Sequence, residues 1–372
     1  MAVKINVDGE LANYEYSNYL DGNFILKSKG NDNVNVITPL VLDDSFKDKD
    51  FLVYFFAKKD IKESDIFEVH CKNTHFSWAR IGWLIPIISL DSADHNYADN
   101  PHFLKYAYIG AYKALQLIGD SVYSKNVEKN IDISFLDIFH EFSVVFVVSK
   151  ELLADFNEFN IGRLYPGLIS FGYSQLGTLN PNEITLIGNQ PNGNKLKIEV
   201  MSEDIDNYRL INDLLFSSFV YEKKAVFKFF YLYQIIELLI EIIYKNEQEI
   251  FVERLIGAKE DLSKTKEIIG EIQEYISERK RIKLLINNYS SVNNNDSLND
   301  LKSVCNNFLV KIGRKEGACF DDYLYPIRNF IFHQYKDVPS GFCELLDSVV
   351  EEFLDIFPLL LSSFSLANRK IV

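Results

Sequence analysis

From Val3 the chain alternates. VKINVD (3–8) sets Val, Ile and Val against Lys, Asn and Asp, the period-two mark of a half-buried strand. NFILKS, VNVITPLV, FLVYFFA and FEVHCK repeat the strand signal, separated by turns rich in Asp, Asn, Gly and Lys. HFLKYAYIGAYKALQLI (102–118) is the persuasive helix of this half. FSVVFVVS, GLISFG, EITLI and KLKIEV then resume the strand pattern, and IGNQPNGNK (187–195) carries the strongest turn or linker signal in the chain.

After about residue 202 the period lengthens. DIDNYRLINDLLFSSF is helical, with Asp204 or Asp206 able to cap it. In AVFKFFYLYQIIELLIEIIY (225–244), Phe229, Tyr233, Ile236, Ile240 and Ile243 recur at spacings of four and three, which is one helical face. RLIGAKEDLSKTKEIIGEIQEYISERKRIKLLI reads as a charged helix. NNYSSVNNNDSLND (287–300) reads as a mobile loop, and LNDLKSVCNNFLVKIG (298–313) as a short helix. GFCELLDSVVEEFLDIFPLLL closes the chain with Phe342, Leu345, Leu346, Val349, Phe353 and Leu354 on one face. The pattern predicts an α+β protein, with a strand-rich α+β domain over 1–201 and an all-α domain over 202–372.

Composition adds limits. With 372 residues, 47% of them hydrophobic, the chain has ample material for two cores. A net charge of −14 argues against a surface coated by nucleic acid, although the acidic excess is heavier in the first half, so the C-terminal half can still handle a polyanion locally. The four cysteines (Cys71, Cys305, Cys319 and Cys343) form no CxxC, and MAVKINVDGE reads as a strand rather than a leader, which together point to the cytoplasm. The 225–244 segment has bilayer length, but Lys228, Gln234, Glu237 and Glu241 interrupt it, so no membrane span is expected. It is apolar nearly all round, and a homodimer through the C-terminal domain is expected from it.

One short stretch mixes burial with chemistry. PIRNFIFHQY (326–335) places Arg328, Asn329 and His333 inside an apolar run. Pro326 suits the first turn of a helix, which would put the three residues in its first two turns, beside free N–H groups that attract anions. Asn329 and His333, four apart, share a face, while Arg328 reaches that side only through its long stem.

RNFIFH, near the start of the penultimate helix of an all-helical segment, resembles the R-[N/D/H]-x3-H motif of the HEPN superfamily, over roughly residues 205–372. The resemblance implies a metal-independent endoribonuclease of toxin, abortive-infection or anti-phage type, acting as a dimer whose two motifs face each other. It implies His333 as the proton-moving group, Arg328 as the phosphate stabiliser and Asn329 as an amide that orients His333 or hydrogen-bonds a phosphate oxygen. Such chemistry suits the residue types. Imidazole exchanges protons near neutrality, and guanidinium is a permanent, planar, bidentate cation. The products would be a 2′,3′-cyclic phosphate and a 5′-OH. No cofactor and no metal is implied. The first half resembles no named family, and it is expected to sense a trigger or bind an inhibitor protein.

Other residues stand at lower weight. Glu237 and Gln234 would support the motif, or would belong to an ordinary polar stripe with Glu241 and Lys245. Tyr335 completes R-x4-H-x-Y, the pattern of toxins silenced by adenylylation, or simply packs. Arg279, Lys280, Arg281 and Lys283 would line an RNA path, or form a solvated face. His70, Cys71 and His75, and the run from Asp91 through Asp94, His95 and Asp99 to His102, are metal-capable but lack a ligand spacing. Against the ribonuclease stands a second class of function, a HEPN-like dimer without catalysis that binds a protein or ligand through its first domain.

Overall fold

The computed structural model describes residues 3–368 apart from 8–9, 31, 76, 118–124, 126, 129–131, 157–158, 178–179, 192, 206–207, 295 and 335–340. The chain is α+β and divides into two compact units: 1–160 with 171–198, and 161–170 with 199–372. Among the described residues no helix is long and apolar enough to cross a membrane.

The first unit holds two six-stranded sheets. One is built around Val3–Val7 (β1), Glu10–Leu20 (β2), Asn23–Ser28 (β3) and Asn33–Val36 (β4), with short parallel edges from Val127–Glu128 (β8) and Asp132–Ile133 (β9). The other runs in the order Ser174–Gln175 (β11), Phe51–Ala57 (β5), Ser143–Ser149 (β10), Trp78–Pro86 (β7), Phe67–Lys72 (β6) and Lys195–Ile198 (β12). Residues 187–195 therefore lead into the last strand of this sheet. The β2–β3 hairpin closes on Asp21 and Gly22, both at positive φ (51° and 82°), with Leu20 paired to Asn23. Such a two-residue turn matches the twist of the flanking strands.

Pro101–Gln116 (α1) starts where the Asn100 side chain accepts from the N–H groups of His102 and Phe103. Its two faces serve the two sheets. Tyr108 and Tyr112 meet Tyr19, Phe24 and Tyr16. On the other face a Cβ at Gly110 would sit 3.1 Å from Val145 Cγ2 and 3.3 Å from Val147 Cγ2. Gly110→Val would overpack this contact and is expected to destabilise the protein by about 1–3 kcal/mol. Chemical unfolding monitored by circular dichroism measures it, and an unchanged midpoint would refute the contact. Phe135–Ile138 (α2) is started by a capping box of Ser134 and Asp137, while the half-buried Asp91 carboxylate accepts from the N–H groups of Phe135 and Leu136. Asp91 is thus a structural cap.

GLISFG (167–172) does not form a strand. Its first four residues end a short helix, Tyr165–Ser170 (α3), that belongs to the second unit, where Tyr165 packs edge-on against Phe216 and Asn212 donates to the Gly162 carbonyl; Phe171 and Gly172 turn back into the first unit. EITLI is irregular, although Ile184 and Leu186 are buried. An apolar run alone does not separate a strand from any other buried segment.

The second unit is helical. Tyr208–Asn212 (α4) passes into a π-helical stretch, Asp213–Ser218, and then a 3₁₀ turn, Phe219–Tyr221. Asp204, one of the two expected caps, instead accepts from the Leu366 N–H at 2.8 Å; Asp206 lies outside the described residues. Ala225–Gly257 (α5) is the long central helix, and all five residues of its predicted face are buried. The expected charged helix is three pieces: the end of α5, Leu262–Tyr275 (α6) and Glu278–Asn287 (α7). Asp261 caps α6 by accepting from the N–H groups of Ser263 and Lys264. The loop expected over 287–300 is short, because Asp296–Lys311 (α8) starts within it, and it is anchored by the buried Tyr289.

Phe320–Gln334 (α9) and Phe342–Ser363 (α10) complete the bundle. Phe353 of α10 meets Phe229 of α5, Phe320 of α9 and Phe357 at ring centroid distances of 5.9, 6.5 and 5.0 Å, and these rings form the centre of the core. Of the predicted α10 face only Leu345 is not fully buried.

Candidate active site

α9 begins six residues before Pro326, so the proline is internal to the helix rather than in its first turn. It leaves the Asp322 carbonyl without its usual i→i−4 donor. Arg328, Asn329 and His333 therefore lie in the third and fourth turns. The N-terminal N–H groups of α9 stand beside Asp321 and Asp322 instead, and the Cys319 N–H is taken by the Asp322 carboxylate. The helix start is thus no anion site for the motif.

Arg328 is the centre of a built environment. Its guanidinium lies over the Phe332 ring at 4.8 Å and the Tyr233 ring at 5.6 Å. Nη2 donates to Glu237 Oε1 of α5 at 3.3 Å, and Nη1 to Asn329 Oδ1 at 3.2 Å. Glu278 Oε1 of α7 stands 4.0 Å from Nε, which is buried without a hydrogen bond. That same oxygen accepts from the buried Tyr233 hydroxyl at 2.6 Å. Burial works against the Arg328 charge, but Glu278 beside it and the hydrogen bond it donates to Glu237 outweigh burial and lift the guanidinium above its ordinary value. Tyr233 is pushed up by burial first and by Glu278 second, so its phenol stays neutral.

His333, one turn beyond Asn329, is exposed, and among the described residues its ring has no hydrogen-bond partner. The structure thus offers a cation fixed between two rings and three helices, with an imidazole open to solvent five residues further along the same helix. Glu237 contacts the motif, while Glu241 and Lys245 form the i, i+4 ion pair of the alternative reading at 2.9 Å. Gln234 is half-buried on the outer side of α5. Tyr335 lies outside the described residues.

Within the basic run of α7 some cations already have partners. Arg279 is paired with Asp321, at 3.1 Å, and with Asp322. Burial pushes the Asp322 carboxyl up, but the Arg279 hydrogen bond and the Cys319 N–H outweigh it and hold the group below its usual range. Arg281 lies 5.0 Å over the Tyr244 ring, and Lys280 is half-buried. Of the four, Arg279 and Lys283 are exposed. Three contributors to the Arg328 environment, Tyr233, Glu278 and Phe332, escaped the sequence reading. Tyr233 and Glu237 are four apart on one helix, which was a legible clue; Glu278 comes from a separate helix and carried none.

In the first unit the metal-capable residues have other partners. His70 contacts Glu68 at 3.1 Å, Arg80 bridges Glu68 and His102, His95 contacts the Ser89 carbonyl, and Cys71 is buried. Among the described residues no three His, Cys, Asp or Glu side chains are grouped to hold a metal ion. Family models, curated proteins and solved structures return no match to this chain.

Proposed function

We propose that the second unit is a metal-independent endoribonuclease with its reaction centre at Arg328, Asn329 and His333. The carrying observation is a fixed guanidinium and, five residues on along the same helix, an exposed imidazole with no partner among the described residues. The RNA 2′-oxygen attacks phosphorus, the bond to the 5′-oxygen breaks, one proton leaves the 2′-hydroxyl and one reaches the 5′-oxygen. His333 moves one of these protons. Arg328 donates its remaining N–H groups to the non-bridging oxygens as charge builds on them. Asn329 holds the guanidinium plane. The first unit, with its separate core, suits a role in receiving a trigger or an inhibitor protein.

A second copy of the chain fits beside this centre. Phe227, Tyr231, Gln234 and Leu238 recur at spacings of four, three and four along the outer side of α5, and none of them is buried. Phe230 continues the patch to Phe332, which is 39% exposed, at 5.5 Å between rings. Apolar exposure running up to the motif suits a two-fold dimer that faces one His333 with another. Leu238→Arg should give a monomer by light scattering and abolish cleavage of RNA by the purified chain in EDTA. A cleavage-competent monomer would contradict this assembly.

One observation favours the second class of function. Two carboxylates, Glu237 and Glu278, already surround Arg328. In that reading the guanidinium ties α5, α7 and α9 together, and the dimer binds a partner without cleaving RNA.

A further inference from the structure

Two helical turns before Arg328, α7, α8 and α9 enclose a cavity of about 220 Å³. Asp321 lines it. The Asp321 side chain is 9% exposed, its Oδ2 accepts from Arg279, and its Oδ1 is buried with no hydrogen-bond partner. The buried Phe320 and Tyr323 supply apolar wall, Asn287 supplies an amide, and Lys283 and Lys302 stand on the α7 and α8 sides. An unpaired buried acceptor is costly, and one that persists calls for a partner from outside the chain, whether a water, an ion or a ligand donor.

The geometry points to this cavity as a guanine-nucleotide subsite: the base enters with its donor edge on Asp321, and the phosphate meets Lys283 and Lys302. An ionised carboxylate only accepts. Guanine presents N1–H and N2–H₂ side by side, whereas the corresponding edge of adenine carries an acceptor at N1 that a carboxylate repels. The volume falls below the roughly 300–1,000 Å³ of drug-sized sites and suits a single base between aromatic walls. Lysines act on phosphate as compact point charges.

The cavity also has a fixed relation to the reaction centre. Asp321 and Arg328 are seven residues apart, so they lie about 10 Å apart along α9 and nearly on one face. The first turn of α7 touches both, with Glu278 at Arg328 and Arg279 at Asp321. Resting on the ribonuclease reading, the cavity becomes the pocket that selects guanine a short distance along the strand from the scissile phosphate.

Calorimetric titration of the full chain with GMP, AMP and guanosine tests it. GMP should bind at least tenfold more tightly than AMP, and more tightly than guanosine. Asp321→Asn should weaken GMP at least tenfold, the scale of a hydrogen bond to a charged group. Lys302→Glu, on a less buried side chain, should weaken GMP and AMP alike; this variant keeps the test open if Asp321→Asn does not fold. Equal binding of GMP and AMP, no binding of either, or GMP binding unchanged by Lys302→Glu would overturn the subsite. The ribonuclease reading fails separately: a chain that binds GMP selectively yet leaves RNA intact keeps the pocket and loses the reaction, and a chain that cleaves RNA without binding GMP does the reverse.

Discussion

His333→Ala should slow RNA cleavage by about 10²–10⁴, the usual loss when a general acid–base group is removed. Stability should barely move. His333 is exposed and has no partner among the described residues, and substitutions at such positions usually change stability by no more than about 0.5 kcal/mol. Steady-state cleavage and a thermal melt on the same preparation separate the two quantities. A variant that melts and cleaves as the parent does would remove His333 from the chemistry. One that loses both together would mean that the imidazole has a structural partner.

Arg328→Ala should lose on both counts. Removing one preorganised donor to a developing oxyanion typically costs about 10²–10³ in rate. The guanidinium is also a tie among three helices, since it touches Glu237 of α5, Glu278 of α7 and Asn329 of its own helix. Its side chain is 20% exposed and Glu237 is 44% exposed, so solvent screens part of the pair. A loss of about 1–2 kcal/mol is expected, below the roughly 1.5–3 kcal/mol of a fully enclosed charged hydrogen bond. Arg328→Lys keeps the charge but loses the fork and the flat stacking between Phe332 and Tyr233, so cleavage should stay impaired while stability partly returns. If Arg328→Ala destabilises the chain and His333→Ala is silent in cleavage, the arginine is a tie and the non-catalytic reading holds.

The helical half was the more legible one. Phe229, Tyr233, Ile236, Ile240 and Ile243 announce one face by their spacing, and that face is buried because a long helix has only one way to satisfy it. Breaks were harder to see. The segment from Arg254 to Ile286 keeps helical composition throughout, and only Asp261, at the start of α6, and Ser277, before α7, mark where it turns. Strands were read where Val and Ile alternate, but β2 carries Tyr14, Tyr16 and Tyr19 amid polar residues, and its mostly exposed surface hides the period. Asp21-Gly22 was the usable signal there, since that pair at positive φ closes the hairpin. GLISFG misled because a nearly unbroken buried run has no period to read.

Within the candidate site, the residue types were legible and their partners were not. RNFIFH gave a cation, an amide and an imidazole, but Glu278 and Tyr233 reach Arg328 only because α7 and α5 pack on α9, a long-range fact. Pro326 suggested a helix start, and Asp321 and Asp322, five and four residues earlier, are the better N-terminal marks, as acidic groups favour the positive end of the helix dipole.

The ends of the RNA products test the central claim most directly. Purified parent chain, incubated with a defined RNA in EDTA, should yield fragments with 2′,3′-cyclic phosphate and 5′-OH termini, identified by mass spectrometry, and His333→Ala prepared in parallel should not. Fragments ending in 3′-OH and 5′-phosphate, or cleavage that disappears in EDTA and returns with a divalent ion, would contradict attack by the 2′-hydroxyl at Arg328 and His333.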